Sequence, residues 1–428
     1  MRPAIFKNVS SIYIHYPFCK RKCHYCDFPI HAIGKNKDNL STLSDFSEKY
    51  IHYLLREIDF TLKETNPNKS FPLKSLYFGG GTPSLIPIPH LKMVIDKLKQ
   101  YYTIDQNTEF SIECDPGTFD LQKLQDFSDF GVNRVSVGIQ STNDQTLKQL
   151  GRSHDIADVW TAIDTIKQRK TFQTLKNVSF DLIMGLPYEE AKDFDKSLTD
   201  LLSLQPGHLS IYLLALENNT VFTEKKKYTE GVYPLPKEET LKEMYCQTSQ
   251  KLANHGYNHY EISTFSKNDQ TRSVHNSNYW IGDSPFYGFG MGAASFFGDV
   301  RYTRPSNLKN YFKWVEDLEF SGIEQSVYGL GEKETYGSLD WLKSVVMGRT
   351  RTCDGFDLDI ISKDQVQREL KYFVEPYLEM GYIEKDCLEN QNRLKFTRPE
   401  GFLFSDEITS SLFLFFEENY PSLFKIEP

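Results

Sequence analysis

The sequence predicts an α/β fold: a parallel sheet in the first half of the chain, then a smaller α+β region. Three observations predict it. Strand-like and helix-like stretches alternate over the first 216 residues. Glycine-rich and polar residues follow the strand stretches on one side only. A chain of 428 residues with 39% hydrophobic residues can bury the cores of two or three domains.

The elements justify this in order. Strand stretches cover 12–16, 75–78, 109–113, 134–139, 178–184 and 208–214. Helical stretches cover roughly 40–65, 90–101, 120–130, 155–169 and 192–204. In the first helix Leu43, Phe46, Tyr50, Tyr53 and Leu54 recur at helical spacing. Six strands joined by crossover helices make a parallel sheet. Ligands of such sheets bind where strand C-termini meet loops. Here a cysteine loop follows the first strand and GGGTPS (79–84) the second. Glu113 and Asp115 end the third, Gln140 the fourth, and GLP (185–187) follows the fifth. The polar residues therefore gather at one edge.

Three regions follow from the pattern: 1–216, 217–334 and 335–428. The middle region opens with the charged runs EKKKYTEG and PLPKEE, read as a solvated connector, and continues into a segment rich in Tyr, His, Gly and Phe over 255–305. The last ends in TSSLFLFFEENYPSLF, read as core or a partner-facing helix.

Composition excludes several classes. The net charge of −9 argues against a general nucleic-acid binder. No run of about 18 apolar residues suggests a membrane span. The opening MRPAIFKNVS lacks the apolar core of a signal peptide, so the expected location is the cytoplasm, or the mitochondrion for a eukaryotic chain with an atypical leader. Seven cysteines, an odd count, do not form a disulfide framework in such a compartment.

Three of the seven, Cys19, Cys23 and Cys26, stand at C-x3-C-x2-C spacing in CKRKCHYC. Such spacing lets one loop surround an iron–sulfur cluster with thiolates. Three thiolates leave one iron of a four-iron cluster open to a small molecule, and open positions mark reactive metals. The alternative is a closed zinc site completed by His24 or His31.

The loop, with Tyr25 before its last cysteine, resembles the radical S-adenosylmethionine (radical SAM) superfamily. The further stretches FGGGTPS, IECDPG, NRVSVGIQS, LGRSH, FDLIMGLP and LSIYLLALE are similar to one branch of it. That branch holds oxygen-independent coproporphyrinogen III dehydrogenases (oxidases) and haem chaperones of the HemW type. The resemblance spans about residue 11 to at least 350. It implies a partial (β/α)6 barrel, a [4Fe–4S] cluster on Cys19, Cys23 and Cys26, and SAM on the unligated iron. One electron then cleaves SAM to methionine and a 5′-deoxyadenosyl radical.

The resemblance also implies the SAM contacts. Gly80, Gly81 and Thr82 meet its methionine end, and Arg152 pairs with its carboxylate through a planar guanidinium. Glu113, Gln140 and Asp181 suit its ammonium and ribose hydroxyls. Tyr13, Tyr25 and Ala215 match further positions near it. No residue is assigned a catalytic role.

Two features separate the branches. Dehydrogenases carry an additional cysteine two residues after the third; Phe28 stands there. They also carry an N-terminal extension, where this chain has about ten residues before its first strand. HNSNYW (275–280) instead resembles the H-N-x-x-Y-W motif of the haem chaperones. His275 is then the candidate haem ligand, with His259 and His255 as alternatives. The resemblance implies a haem chaperone that hands haem to an acceptor protein, such as a membrane-associated or respiratory one. It also implies an electron donor such as a flavodoxin or ferredoxin, and a homodimer. Porphyrin decarboxylation is the alternative.

Overall fold

The structure, a computed structural model, describes residues 9–34, 39–66, 71–168, 172, 174–224, 233–282, 284–297, 300–326, 332–335, 338–361 and 363–420. Most of MRPAIFKNVS, all of EKKKYTEG after Glu224, and the last four residues of TSSLFLFFEENYPSLF lie outside them. Nine strands matter below: β1 (Ser11–Tyr16), β2 (Ser75–Gly80), β3 (Glu109–Cys114), β4 (Arg134–Gln140), β5 (Asn177–Met184), β6 (His208–Leu213), β7 (Asn258–Glu261), β8 (Thr264–Ser266) and β9 (Tyr287–Phe289).

The chain divides into two compact units. The first comprises Met1–Pro206, Ile211–Pro236 and Pro285–Glu334; the second comprises Gly207–Ser210, Lys237–Ser284 and Thr335–Pro428. In the first unit the strand order is β9-β1-β2-β3-β4-β5-β6. The pairings β9–β1, β1–β2, β2–β3, β3–β4 and β4–β5 are all parallel. The connections between β1 and β6 carry α1 (Asn39–Thr65), α2 (Ile88–Leu98), α3 (Leu121–Asp129), α4 (Ile156–Gln168) and α5 (Ala191–Leu202). The parallel sheet and its crossover helices are those the alternation predicts. Strand β9 is an addition, drawn from the segment that carried no strand assignment.

Strand side chains alternate between two faces. One face is apolar and buried: Ile12 and Ile14, Leu76 and Phe78, Phe110 and Ile112, Val135 and Val137, Phe180 and Leu182. The other carries Tyr13, Tyr77, Glu113, Ser136 and Asp181. Helix α1 packs through Tyr50, Leu54, Ile58 and Leu62, and Asp120 caps α3 by accepting from Lys123 N at 2.8 Å.

In the second unit His208–Ser210 pairs antiparallel with β8, which pairs with β7. The unit also holds α6 (Glu238–Asn254), α7 (Val274–Trp280), α9 (Ser338–Thr350) and α10 (Ser405–Asn419), while α8 (Leu308–Ser326) belongs to the first unit. Ile408, Leu412 and Phe416 on α10 are buried, so the aromatic tail is core. Among the described residues no helix is long and apolar enough to cross a membrane.

Candidate functional site

The cysteine loop leaves β1 at Tyr16 and is tied at both ends. Gly81 N donates to Tyr16 O at 2.9 Å and Thr82 N to Phe18 O at 2.9 Å. On the return, His31 N donates to Pro17 O at 2.8 Å and Ile33 N to Cys19 O at 2.9 Å. Between these ties, Cys26 N turns back to Cys23 O at 3.3 Å. Thr82 Oγ1 donates to Cys19 Sγ at 3.4 Å and Arg152 Nη1 to Cys23 Sγ at 3.5 Å. Burial pushes the Cys19 thiol up, and that of Cys26 to about 11. These thiols stay protonated until a bound cation draws off the proton.

The two histidines of the zinc alternative pack against aromatic rings. His24 donates from Nδ1 to Gln149 O at 2.8 Å, and its ring meets Phe222. The His31 ring stands edge-on to Phe18 and Phe46. Among the described residues no three Cys, His, Asp or Glu side chains are placed to share one metal ion.

One cavity of about 470 Å³ opens at the C-terminal strand ends of the first unit. Cys19, Cys23, Tyr25 and Cys26 line it from the loop, with Gly80, Gly81 and Thr82 beside them. Glu113, Gln140, Arg152, Asp181 and Ala215 complete it from strands β3 to β5 and the loops after β4 and β6. Gly80 has φ +113°, and a Cβ there would lie 2.6 Å from the His15 ring. The glycine run is needed so that β2 can close on β1, besides any approach of a ligand.

The polar groups are arranged in partnerships. Glu113 accepts from Tyr77 OH at 2.9 Å and Gly80 N at 3.1 Å, yet burial pushes its carboxyl up to about 7. Asp181 accepts from Ser136 Oγ at 2.9 Å. Gln140 sits at φ 66°, beside a register shift between β4 and β5. That places a strained non-glycine residue at the cavity wall. Its Oε1 is buried with no protein partner. Arg152 donates to Asp115, to Gly138 O at 2.9 Å and to Tyr25 OH at 3.1 Å, while its Nε is buried with no protein partner.

Two candidates lie elsewhere. Tyr13 does not line the cavity; it stacks on Tyr77 at 6.1 Å and reaches His15 Nδ1 at 3.1 Å. His275 belongs to the second unit, on α7, and is only 3% exposed. Burial pulls its imidazole down to about 3, so it is neutral, and Tyr279 lies at 5.0 Å. His259 is buried between Ser249 and Tyr245, whereas His255 is exposed. Phe28 lines the cavity and is 60% exposed.

Sequence reasoning missed three members. Asp115 was read only as a strand end, though it holds Arg152. Tyr77 and Ser136 also line the cavity and hold Glu113 and Asp181. Alternation within β2 and β4 could have found them, since they share a face with Glu113 and Asp181.

The donor set fits the groups in question. Three thiols on one loop suit an iron–sulfur cluster. Carboxylates, a guanidinium and a buried amide oxygen awaiting a donor suit a zwitterionic ligand with hydroxyls.

Residues 13–201 match the family model described as the radical SAM superfamily. The chain is 34% identical to the heme chaperone HemW of Synechocystis sp., an alignment covering 98% of this chain and 100% of that protein. It is 33% identical to the heme chaperone HemW of Bacillus subtilis, covering 73% and 77% of the two. Among solved structures it is similar to coproporphyrinogen III oxidase (HemN) from Escherichia coli, with TM-score 0.74 and 20% identity over 97% of this chain and 92% of that one. At that identity the likeness speaks to the fold.

Proposed function

The chain belongs to the radical SAM superfamily and, within it, to the HemW family; from that premise we propose that it is a haem chaperone, binding a [4Fe–4S] cluster, SAM and haem and handing haem to acceptor proteins. The observation that carries the distinction from a porphyrin decarboxylase is Phe28. It stands at the cavity, exposed, where a dehydrogenase carries a further cysteine. The names of the relatives, heme chaperones in each case quoted, support the same reading.

In this proposal Cys19, Cys23 and Cys26 hold the cluster. Its resident chemistry is one-electron transfer to SAM. The chain's own residues bind and orient. Glu113 and Asp181 take the ammonium and the ribose hydroxyls. The Gln140 amide oxygen accepts from the ligand, and Arg152 faces its carboxylate while anchored by Asp115. Gly80, Gly81 and Thr82 shape the methionine end, and Tyr25 and Ala215 pack beside it. Tyr13 acts from behind, through Tyr77 and His15. His275 serves the haem iron. Its burial means that α7 must open for the imidazole to reach a metal, which makes haem uptake a conformational event in the second unit.

The test is haemin titration of the full chain, cluster reconstituted anaerobically, followed at the Soret band. Saturable binding that His275→Ala weakens supports the proposal. No saturable binding, together with SAM-dependent decarboxylation of coproporphyrinogen, overturns it in favour of the dehydrogenase.

A further inference from the structure

Haem is a flat, largely apolar ligand with two carboxylates on one edge. A site that takes it needs more than an iron ligand; it also needs cations at the distance of that edge. His275 stands in the first turn of α7. From His275 to Ile281 the helical rise is about 9 Å, comparable with the reach from the iron to a propionate. At that far end α7 meets α9. A Cβ on Gly348 would lie 2.5 Å from Trp280 O, and one on Gly282 would lie 2.5 Å from Val345 Cα. Glycine at both positions lets the two segments touch backbone to backbone.

Two arginines sit at this contact. Arg349 Nε donates to Ile281 O at 3.2 Å. Among the described residues no carboxylate pairs with Arg349, and its Nη groups have no acceptor. The residue is half-buried, where a cation without an anion is costly. The Arg351 guanidinium lies 5.6 Å from the centre of the Trp280 ring. It pairs with Asp406, whose side chain is 77% exposed. So exposed a pair contributes little and exchanges readily. The buried Trp280 Nε1–H has no acceptor among the described residues. Both arginines are anchored apart from α7. Ile262 N donates to Arg351 O at 3.1 Å, and Cys353 N donates to Tyr260 O at 2.9 Å. When α7 moves, the two cations stay with α9 and β7.

We propose that Arg349 and Arg351 are specificity-determining residues of the haem site: each exchanges its present partner, the Ile281 carbonyl or Asp406, for one haem propionate as α7 opens. This rests on the reading that α7 carries the haem site. A guanidinium fork binds a carboxylate through two parallel bonds, which outweighs one bond to a carbonyl or a solvated ion pair. The same residues thus hold α7 closed and recognise the acidic edge of the ligand that opens it. A porphyrin without free carboxylates leaves the closed contacts in place.

The experiment titrates the full, cluster-reconstituted chain with haemin and with haemin dimethyl ester, whose carboxylates are masked, at the Soret band. The readout is the ratio of the two Kd values, from which the cost of opening α7 cancels. The wild-type chain should prefer haemin by about a hundredfold, about tenfold for each charge-assisted contact. Arg349→Ala and Arg351→Ala should each cut that preference about tenfold. Arg349→Lys, which keeps the charge without the fork, should fall between. Melting temperatures check folding, and the wild-type comparison carries the test by itself if a variant does not fold. Equal affinity of the wild-type chain for haemin and its ester, or a preference that neither alanine variant reduces, overturns the proposal alone. No saturable binding of haemin by the wild-type chain overturns the proposal together with the haem reading.

Discussion

Arg152 donates to Asp115 inside the cavity wall, and the same guanidinium reaches Cys23 Sγ at 3.5 Å. The two side chains are 7% and 19% exposed. The pair thus links the loop after β3 to the cysteine loop. Removing Asp115 leaves a buried cation without its counter-ion, which costs about 3–5 kcal/mol. Asp115→Ala should therefore lower the melting temperature and weaken SAM binding together. Thermal denaturation and equilibrium dialysis check this; Asp115→Asn, which keeps an acceptor, should lose less.

Glu113 predicts a pH dependence. Burial raises its carboxyl to about 7 in the free cavity. A ligand ammonium needs the ionised form, so protons compete with the ligand below that value. SAM affinity should be level above pH 7 and fall as the pH drops, approaching about tenfold per unit. Equilibrium dialysis with cluster-loaded protein from pH 5.5 to 8.5 measures it. Glu113→Gln should bind more weakly and flatten the profile over that range.

The assignment of the cluster to three cysteines predicts a clean separation of metal ligands. Cys19→Ala, Cys23→Ala and Cys26→Ala should each lose iron and sulfide on reconstitution. His24→Ala and His31→Ala should keep both, although His24→Ala forfeits a hydrogen bond worth about 1 kcal/mol. Retention of zinc by the wild-type chain, lost in either histidine variant, would contradict the cluster.

A second buried pair predicts stability without chemistry. Arg304 Nε donates to Glu57 Oε1 at 2.7 Å, and both side chains are fully buried. Glu57 also accepts from Tyr311 OH at 2.7 Å and Gly290 N at 2.9 Å. Arg304→Met strands the carboxylate and should cost about 3–5 kcal/mol. Adding Glu57→Gln should restore part of the loss, read as melting temperature, with iron content unchanged below the transition.

The strands β1 to β6 were legible because a buried strand writes its own local signature: Ile12, Ile14 and Tyr16 alternate, and Phe180, Leu182 and Met184 do the same. Strand β9 was not legible. Tyr287–Phe289 is three residues long and pairs with β1, more than 270 positions away in the chain, so no local period marks it.

The sequence by itself determined the donors: three cysteines on one loop, carboxylates and an amide at strand ends, and Phe28 in place of a further thiol. Those depend on residue type and short spacing, which a chain states openly. Only the tertiary structure decided their partnerships. Arg152 stands 129 residues from Cys23, and 37 from the Asp115 that holds it. Parallel register brings such positions together. Only the fold decided that Phe28 stays exposed while His275 is buried, because burial follows from the packing of distant elements.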